Sequence, residues 1–510
     1  MARPLEREPV IRRDLHIAAG RRYDLAVIGG GIHGAQLALA ASERGLAVLV
    51  LEAADFGGGA SGNSLRILHG GLRYLQSMDL PRFMESVAQR RWHAQAFADL
   101  VEPLACLMPL YAQGLKRRSV MRVALAMNDV LSKGRNAGLA ARLHLPDGHT
   151  LDVAQTVSQF PQVRRPQLEG GAIWYDYFMR SSERILIETL HRACALGAEV
   201  LNYARLIAMH TEQGRVVGLS AEDALTGQPL EFAAQRICNC TGSDARALAG
   251  QLDREYPELF VPSLAFNVLF ECQRLGPNGL AVAAPDPGAP MYFLCPSPHG
   301  IWAGTEHVAR PDDCTDPTVQ EAELDAFIGR INRAIPGLNL SLQNVRRVCS
   351  GLLPVRRVQS VELTGREVII DHAHHGAARG LYSATGIKFT TARKVARKAL
   401  ATILGSDRAA GESVSETWPA LRPATPQLTD GALAERLSEA ELQALVRTTA
   451  ADESALTADD FCLRRTNWQF TARDFSRLRR IAAEAMAAAI TTPQSGAIPL
   501  RAPAPAMAKV

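Results

Sequence analysis

The 510-residue chain contains no apolar stretch of about eighteen residues, which excludes a simple membrane-spanning helix. Its first twenty residues, MARPLEREPVIRRDLHIAAG, lack the apolar core of a secretory signal and intersperse charges instead, so a cytoplasmic protein is expected. No set of Cys and His has structural-zinc spacing. The nine cysteines are odd in number and only Cys238 and Cys240 lie close together, which points to buried thiols in a reducing compartment. A formal charge of +4, from 56 basic and 52 acidic residues, is too small to imply nucleic-acid binding. Internal repeats are absent. What remains, 47% hydrophobic and 21% charged, is ordinary globular usage in a chain long enough for two or three domains.

Against this background one stretch stands out. Between Tyr23 and Ala53 an apolar run ends in Gly29-x-Gly31-x-x-Gly34, a helical stretch follows, and a second apolar run (Ala47 to Leu51) ends at Glu52. Leu25 to Ile28 suits a buried parallel strand, and Ala35 to Arg44 has high helix propensity. Gly29 permits the tight turn, Gly31 lets the backbone approach a pyrophosphate, and Gly34 lets helix and sheet pack closely. The helix N-terminus then faces the phosphates, while Glu52 is placed to accept from ribose hydroxyls and disfavours a 2′-phosphate. A dinucleotide is implied, NAD or FAD.

Two distant segments suggest which. Arg236 to Gly242 reads as a strand ending in Thr241-Gly242, and Leu381 to Lys394 as a strand, a turn at Gly386 and a helix beginning near Thr390. A single N-terminal fingerprint completed from the far end of the chain is the habit of one class of flavoproteins. Lys388, ahead of that second helix, suits the negative charge of a reduced flavin. The run DHAHHG, with His372, His374 and His375, falls between two strand-like segments and reads as a hairpin turn with exposed histidines. Residues 116–135 mix Val120, Val123, Leu125, Met127, Val130 and Leu131 with Arg122, Lys133 and Arg135, a basic amphipathic helix of the kind that lies in a membrane interface or packs on its own protein.

Several motifs, in order from about Asp24 to about Trp468, resemble the flavin-dependent glycerol-3-phosphate dehydrogenase family. Ser64-Leu-Arg-Ile-Leu-His69-Gly-Gly-Leu-Arg73-Tyr74-Leu75 is similar to its Ser-Ser-Lys-Leu-Ile-His-Gly-Gly-Leu-Arg-Tyr-Leu. Asn239 to Gly242, Ile301 to Thr305, Gly386 to Lys394 and Arg464-Arg465-Thr466 match further elements. The resemblance implies an α/β fold: a Rossmann-type FAD domain interleaved with an antiparallel-sheet substrate domain, then a small helical domain. It implies FAD held by Gly29, Gly31, Gly34, Glu52, Ser64, Thr241, Gly242, Gly386, Lys388 and Thr390, with His69, Arg73, Tyr74 and Lys388 as the catalytic set. Hydride would pass from a substrate C–H to flavin N5, and electrons onward to quinone or oxygen. Histidine titrates near neutral pH and can act as base, and Arg73 offers a fork for an anionic substrate. Attachment to the inner face of the membrane through 116–135 is a further implication.

The departures fall at the substrate end. Where the family has Ser-Gly-Val-Arg-Pro, with an arginine for the substrate phosphate, this chain has Ser350-Gly-Leu-Leu353-Pro354. Arg356 and Arg357, continued along a strand, would point about 10 Å away. Ser181-Ser182 replace paired aspartates, and Glu306-His307 replace Thr-Asp. Glycerol-3-phosphate leads as substrate, with another hydroxy or amino compound, or a non-catalytic flavin scaffold, as alternatives. The expected organisation is an arm (1–20), the interleaved FAD and substrate domains (21–405), a linker (406–428), a helical domain of three helices (429–490) and an unstructured tail (491–510).

Overall fold

A six-stranded sheet forms the centre of the computed structural model, which describes residues 10–111, 117–286, 288–405 and 425–491. Its strand order is Val368–Asp371, Leu381–Thr385, Ile237–Asn239, Leu25–Ile28, Val48–Leu51, Glu199–Leu201, parallel except for the first. Leu25–Ile28 and Val48–Leu51 are buried throughout, as strands covered on both faces must be. One face carries the helices Ile32–Ser42, Ser182–Ala195 and Ala392–Leu404. The other packs on a four-stranded sheet that includes Ala204–Glu212 and Arg215–Asp223, a layer the sequence did not announce.

The second domain is a large sheet threaded through the first. Its strands Pro262–Glu271, Met291–Ser297, Gly300–Ala309 and Val345–Pro354 are antiparallel neighbours, with Gly279–Ala283 next. The sheet is antiparallel apart from one pairing among the described strands, in which Gly279–Ala283 runs parallel to Val101–Tyr111. The helix Glu321–Ala334 buries Leu324, Phe327, Ile328 and Ile331 against one face, where Leu264, Phe266 and Phe270 alternate inward. The opposite face turns toward the cofactor domain.

The C-terminal domain has two long helices, Glu439–Asp452 and Phe475–Thr491, rather than three; short helical turns join them around Phe461 and Trp468. Buried ion pairs dock it. Arg66 grips Glu183 with both carboxylate oxygens (2.7 and 2.8 Å), donates to Asn467 and lies 3.8 Å over the Phe470 ring. Asp55 receives Arg464 and both Nη atoms of Arg465, and Arg184 bridges Glu188 and Glu453. The segment expected as an arm is tied down where described: Ile11 is buried and its N–H donates to Asp452. Of the expected linker, residues 406–424 lie outside the described residues and Pro426–Thr429 is a short helix; of the expected tail, 492–510 lie outside as well.

The basic helix spans Arg118–Leu131, shorter than expected, and Lys116 lies outside the described residues. Met121 and Leu125 pack inward while Val123 and Val130 are 67% and 74% exposed. Arg135 is beyond the helix and buried, held by Asp129 and Asp147. Among the described residues no helix is long and apolar enough to cross a membrane.

Candidate active site

The glycine turn has the geometry its sequence requires. Gly29 has φ +109°, and a Cβ there would lie 2.6 Å from the Cys240 carbonyl oxygen; at Gly34 it would lie 1.9 Å from the Gly29 oxygen. Neither position admits a side chain. Gly31 caps the helix Ile32–Ser42 without a side-chain bond, and no acidic residue occupies its first turn. Ser61 accepts from the first N–H, that of Ile32 (3.0 Å), and the rest of the positive end is left for an anion. Glu52 accepts from the N–H of Gly30 (2.7 Å) and of Ala54 (3.0 Å), which orients the carboxylate; burial raises its pKa against those two bonds.

The distant completions meet this turn. Cys240 donates to Ile28 (2.7 Å), setting Thr241 against Gly29, and Gly242, at φ +64°, faces open space. Thr241 spends its hydroxyl on Asn239 (2.8 Å). Gly386 lies against His33 on the first turn of the same helix, where a Cβ would meet the ring at 2.4 Å. The His33 Nε2 is enclosed with no hydrogen-bond partner, and burial lowers its pKa to about 4. An orphaned donor or acceptor, a helix end without an acidic residue in its first turn and a cradle closed to Cβ atoms together fit a dinucleotide phosphate. Thr390 is buried in the turn Phe389–Thr391 that opens Ala392–Leu404, whereas the Ser64 hydroxyl accepts from Arg66 N–H within its own turn.

His69 is built by strand pairing. Leu68 pairs with Tyr177, which brings the next residue beside Asp176 on the strand Leu168–Met179. The buried Asp176 carboxylate accepts from His69 Nδ1 (3.2 Å), Gly70 N (2.7 Å), Arg90 Nη1 (2.7 Å) and Trp174 Nε1 (3.2 Å). Burial raises its pKa, but the His69 bond, the Arg90 charge and the Gly70 N–H prevail and hold it at about 2. An ionised partner fixes the proton on Nδ1, leaving His69 Nε2 as a free acceptor. The ring is 46% exposed and tilted on Phe293 at 4.9 Å.

This pairing has a measurable consequence. A carboxylate with a depressed folded-state pKa stabilises the fold above its unfolded value of about 4, and that contribution disappears as pH falls toward about 2. Chemical denaturation of the wild type should therefore lose about 2 kcal/mol from Asp176 between pH 5 and 2. The Asp176→Asn variant should lack that portion of the decline.

Tyr74 follows on the short helix Leu72–Gln76, with its hydroxyl against Lys388 Nζ, which stands 4.5 Å over the ring. His69, Tyr74 and Lys388 are thus linked through one turn and one contact. Arg73 is exposed and makes no hydrogen bond or ion pair among the described residues.

The substrate-end departures separate into two groups. Ser181 and Ser182 do not belong to a substrate end: Ser181 caps the helix Ser182–Ala195, and both hydroxyls donate to the Glu183 carboxylate that Arg66 holds. Leu353 and His307 lie instead on one face of the large sheet. Gly351 faces Ala60 on the cofactor-domain loop, at 3.0 Å from a would-be Cβ, so Leu353, two residues on, shares that face. His307 pairs with Ala265, which pairs with Gly351, placing it on the same face with an unpartnered Nδ1; burial lowers its pKa. Glu306, pointing the other way, accepts from Tyr292 and Arg330. The expected 10 Å displacement of Arg356 also needs correction, because the strand ends at Pro354 and the chain reverses at the bridge Val355 to Leu363. The DHAHHG turn does join antiparallel strands, but His372 is buried between Asp253 and Ser383.

Asp176, Arg90 and Phe293 were not singled out from sequence. A lone aspartate in the apolar strand Ala-Ile-Trp-Tyr-Asp-Tyr-Phe-Met was the one available signal.

A family model described as FAD dependent oxidoreductase matches residues 24–402. An alpha-glycerophosphate oxidase of Enterococcus casseliflavus is 28% identical over 339 residues, covering 65% of this chain and 54% of that protein. An aerobic glycerol-3-phosphate dehydrogenase of Bacillus subtilis is 27% identical over 376 residues, covering 74% and 66%. The matches thus span between about half and two thirds of those relatives' lengths. The X-ray structure of a glycerol-3-phosphate dehydrogenase from Bacillus halodurans, complexed with FAD, superimposes with a TM-score of 0.67 at 20% identity over 93% of this chain and 92% of that one. At that identity the likeness is one of fold.

Proposed function

Because the chain belongs to the FAD dependent oxidoreductase family, with FAD as its cofactor, we propose that it oxidises glycerol-3-phosphate to dihydroxyacetone phosphate and passes the electrons to quinone or oxygen. The observation that carries the reading is the His69 Nε2, held free by a buried and ionised Asp176. FAD, when bound, supplies a two-electron acceptor for the substrate hydride at N5. His69 takes the hydroxyl proton at Nε2 as the hydride leaves carbon, and Asp176 stabilises the imidazolium that results. Lys388 and Tyr74 hold the substrate oxygen and place positive charge where negative charge develops. Gly29, Gly31, Gly34, Glu52, Thr241, Gly242 and Gly386 cradle the cofactor, with Ser64 and Thr390 shaping the adjoining turns. Arg73 faces solvent and guides the anion in. The curated relatives named for glycerophosphate oxidation support the substrate class.

The exposed Val123 and Val130 beside Arg118 and Arg122 support peripheral contact with an anionic membrane surface, where a quinone is reached. A different hydroxy or amino donor is the second reading, favoured by Leu353 on the cleft face.

Anaerobic addition of glycerol-3-phosphate to purified holoprotein should bleach the oxidised flavin bands at micromolar to low millimolar concentration. A flavin that stays oxidised with this donor, yet bleaches with another alcohol or amine, moves the assignment to the second reading; no bleaching with any donor leaves a flavin-binding scaffold.

A further inference from the structure

Leu353 carries no donor, yet cations gather a short distance along the chain. After Pro354 a hairpin closes through Arg356 N to Glu362 O (3.0 Å) and Thr364 N to Pro354 O (3.0 Å), which returns the chain to Gly365. One point on the face of Gly365, where a Cβ would stand, lies 3.0 Å from Arg82 Nη2, 3.6 Å from Arg82 Nη1 and 3.2 Å from Arg356 Nη2. Two guanidinium groups from segments more than 270 residues apart thus converge on one residue without a side chain. Arg82 also stands 5.9 Å over the Tyr74 ring, the ring that carries Lys388 at 4.5 Å. Two cations therefore flank the Tyr74 ring, and Arg356 joins one of them, Arg82, at Gly365.

Their existing partners leave the converging atoms free. Arg82 meets Asp79 through Nε (3.3 Å) and Arg356 meets Glu362 through Nη1 (3.1 Å), both with much of the side chain in solvent. The Nη atoms of Arg82 and the Nη2 of Arg356 remain as unused donors on the shared side. Like charges brought together this way repel unless an anion lies between them.

We propose that Arg82 and Arg356, converging beside Gly365, form the site that holds the substrate's phosphate monoester, in place of an arginine at position 353. The inference rests on the phosphorylated substrate proposed above and specifies which residues recognise it. Three Nη donors from two guanidinium forks, aimed at one point from two segments, match a tetrahedral oxyanion better than a single carboxylate.

The test uses holoenzyme with inorganic phosphate as the first probe, followed by competition titration and by the perturbation of flavin absorbance, and glycerol-3-phosphate reduction as the second. In Arg356→Gln, and more so in Arg82→Gln/Arg356→Gln, phosphate affinity should fall about 10- to 100-fold and the KM for glycerol-3-phosphate should rise equally, with kcat within about threefold. Arg356→Lys should retain part of the affinity. Because Arg356 lies on a half-exposed hairpin, its single variant keeps the test valid should the double variant fold poorly. Unchanged KM and phosphate affinity in these variants overturn the site while leaving the proposed reaction intact. Phosphate binding that is lost in the variants, with no reduction by glycerol-3-phosphate in the wild type, overturns the reaction and keeps the site. Lactate competing as strongly as phosphate overturns the ligand class.

Discussion

His69→Gln should slow anaerobic flavin reduction by about 10²- to 10⁴-fold at neutral pH, with flavin content and KM close to wild type. Glutamine keeps a hydrogen-bond donor for Asp176 but has no atom that accepts a proton at neutral pH. A rate loss confined to kcat is the expected sign of a group that acts only as the reaction proceeds. Asp176→Asn should also lose rate, for a different reason. Its amide no longer fixes the proton on Nδ1 or stabilises the imidazolium, and the buried Arg90 loses its counter-charge. That variant should therefore combine slower reduction with lower stability. A His69→Gln enzyme reducing flavin within about tenfold of wild type would place the base elsewhere, with His307 and its unpartnered Nδ1 as the alternative.

The second large effect is structural. Asp55→Asn should destabilise the protein by about 3 to 5 kcal/mol, because it leaves buried arginine charge without a partner. The Asp55 carboxylate holds Arg464 (2.6 Å) and Arg465 (2.7 and 2.8 Å), and Arg465 has no exposed surface at all. Those arginine charges, the largest effect opposing burial, keep the carboxyl well below the ordinary range. Arg479→Ala, which breaks a pair whose side chains are 53% and 45% exposed, should cost no more than about 1 kcal/mol. Denaturant midpoints read from the buried Trp468 compare the two directly. Because Asp55 follows Glu52 on the loop that packs against the glycine turn, its loss should weaken flavin retention as well; equal midpoints for the two variants would show that the docking rests on apolar contacts alone.

The cofactor half of the site was legible in sequence because its signal is local. A buried strand, three spaced glycines and a helix occupy adjacent residues, and Glu52 lies at the end of the next strand. The catalytic half depends on pairing between distant segments. Asp176 meets His69 only because Leu68 pairs with Tyr177, and nothing in either segment states that register. Ser181 and Ser182 were misplaced for a related reason: a serine before a helix is a cap by its chemistry, but its second partner, Glu183, is committed to Arg66 from a different domain. A continuing strand would carry Arg356 away, and the reversal at Val355 depends on its partner Leu363, which no local signal names. His372 escaped because histidines in a polar turn are usually solvated, whereas this one finds Asp253 on another segment.

The central sheet takes Leu25–Ile28 and Leu381–Thr385 from opposite ends of the matched region. During synthesis, at roughly 5 to 20 residues per second, the glycine turn waits about 20 to 70 s for the strand and the Gly386 loop that complete its pocket. Leu25–Ile28 lacks its second neighbour until Ile237–Asn239 is made, and that strand in turn stays open on one side until Leu381–Thr385 follows. A pocket assembled from both ends of this region is thus complete only late in the life of the nascent chain.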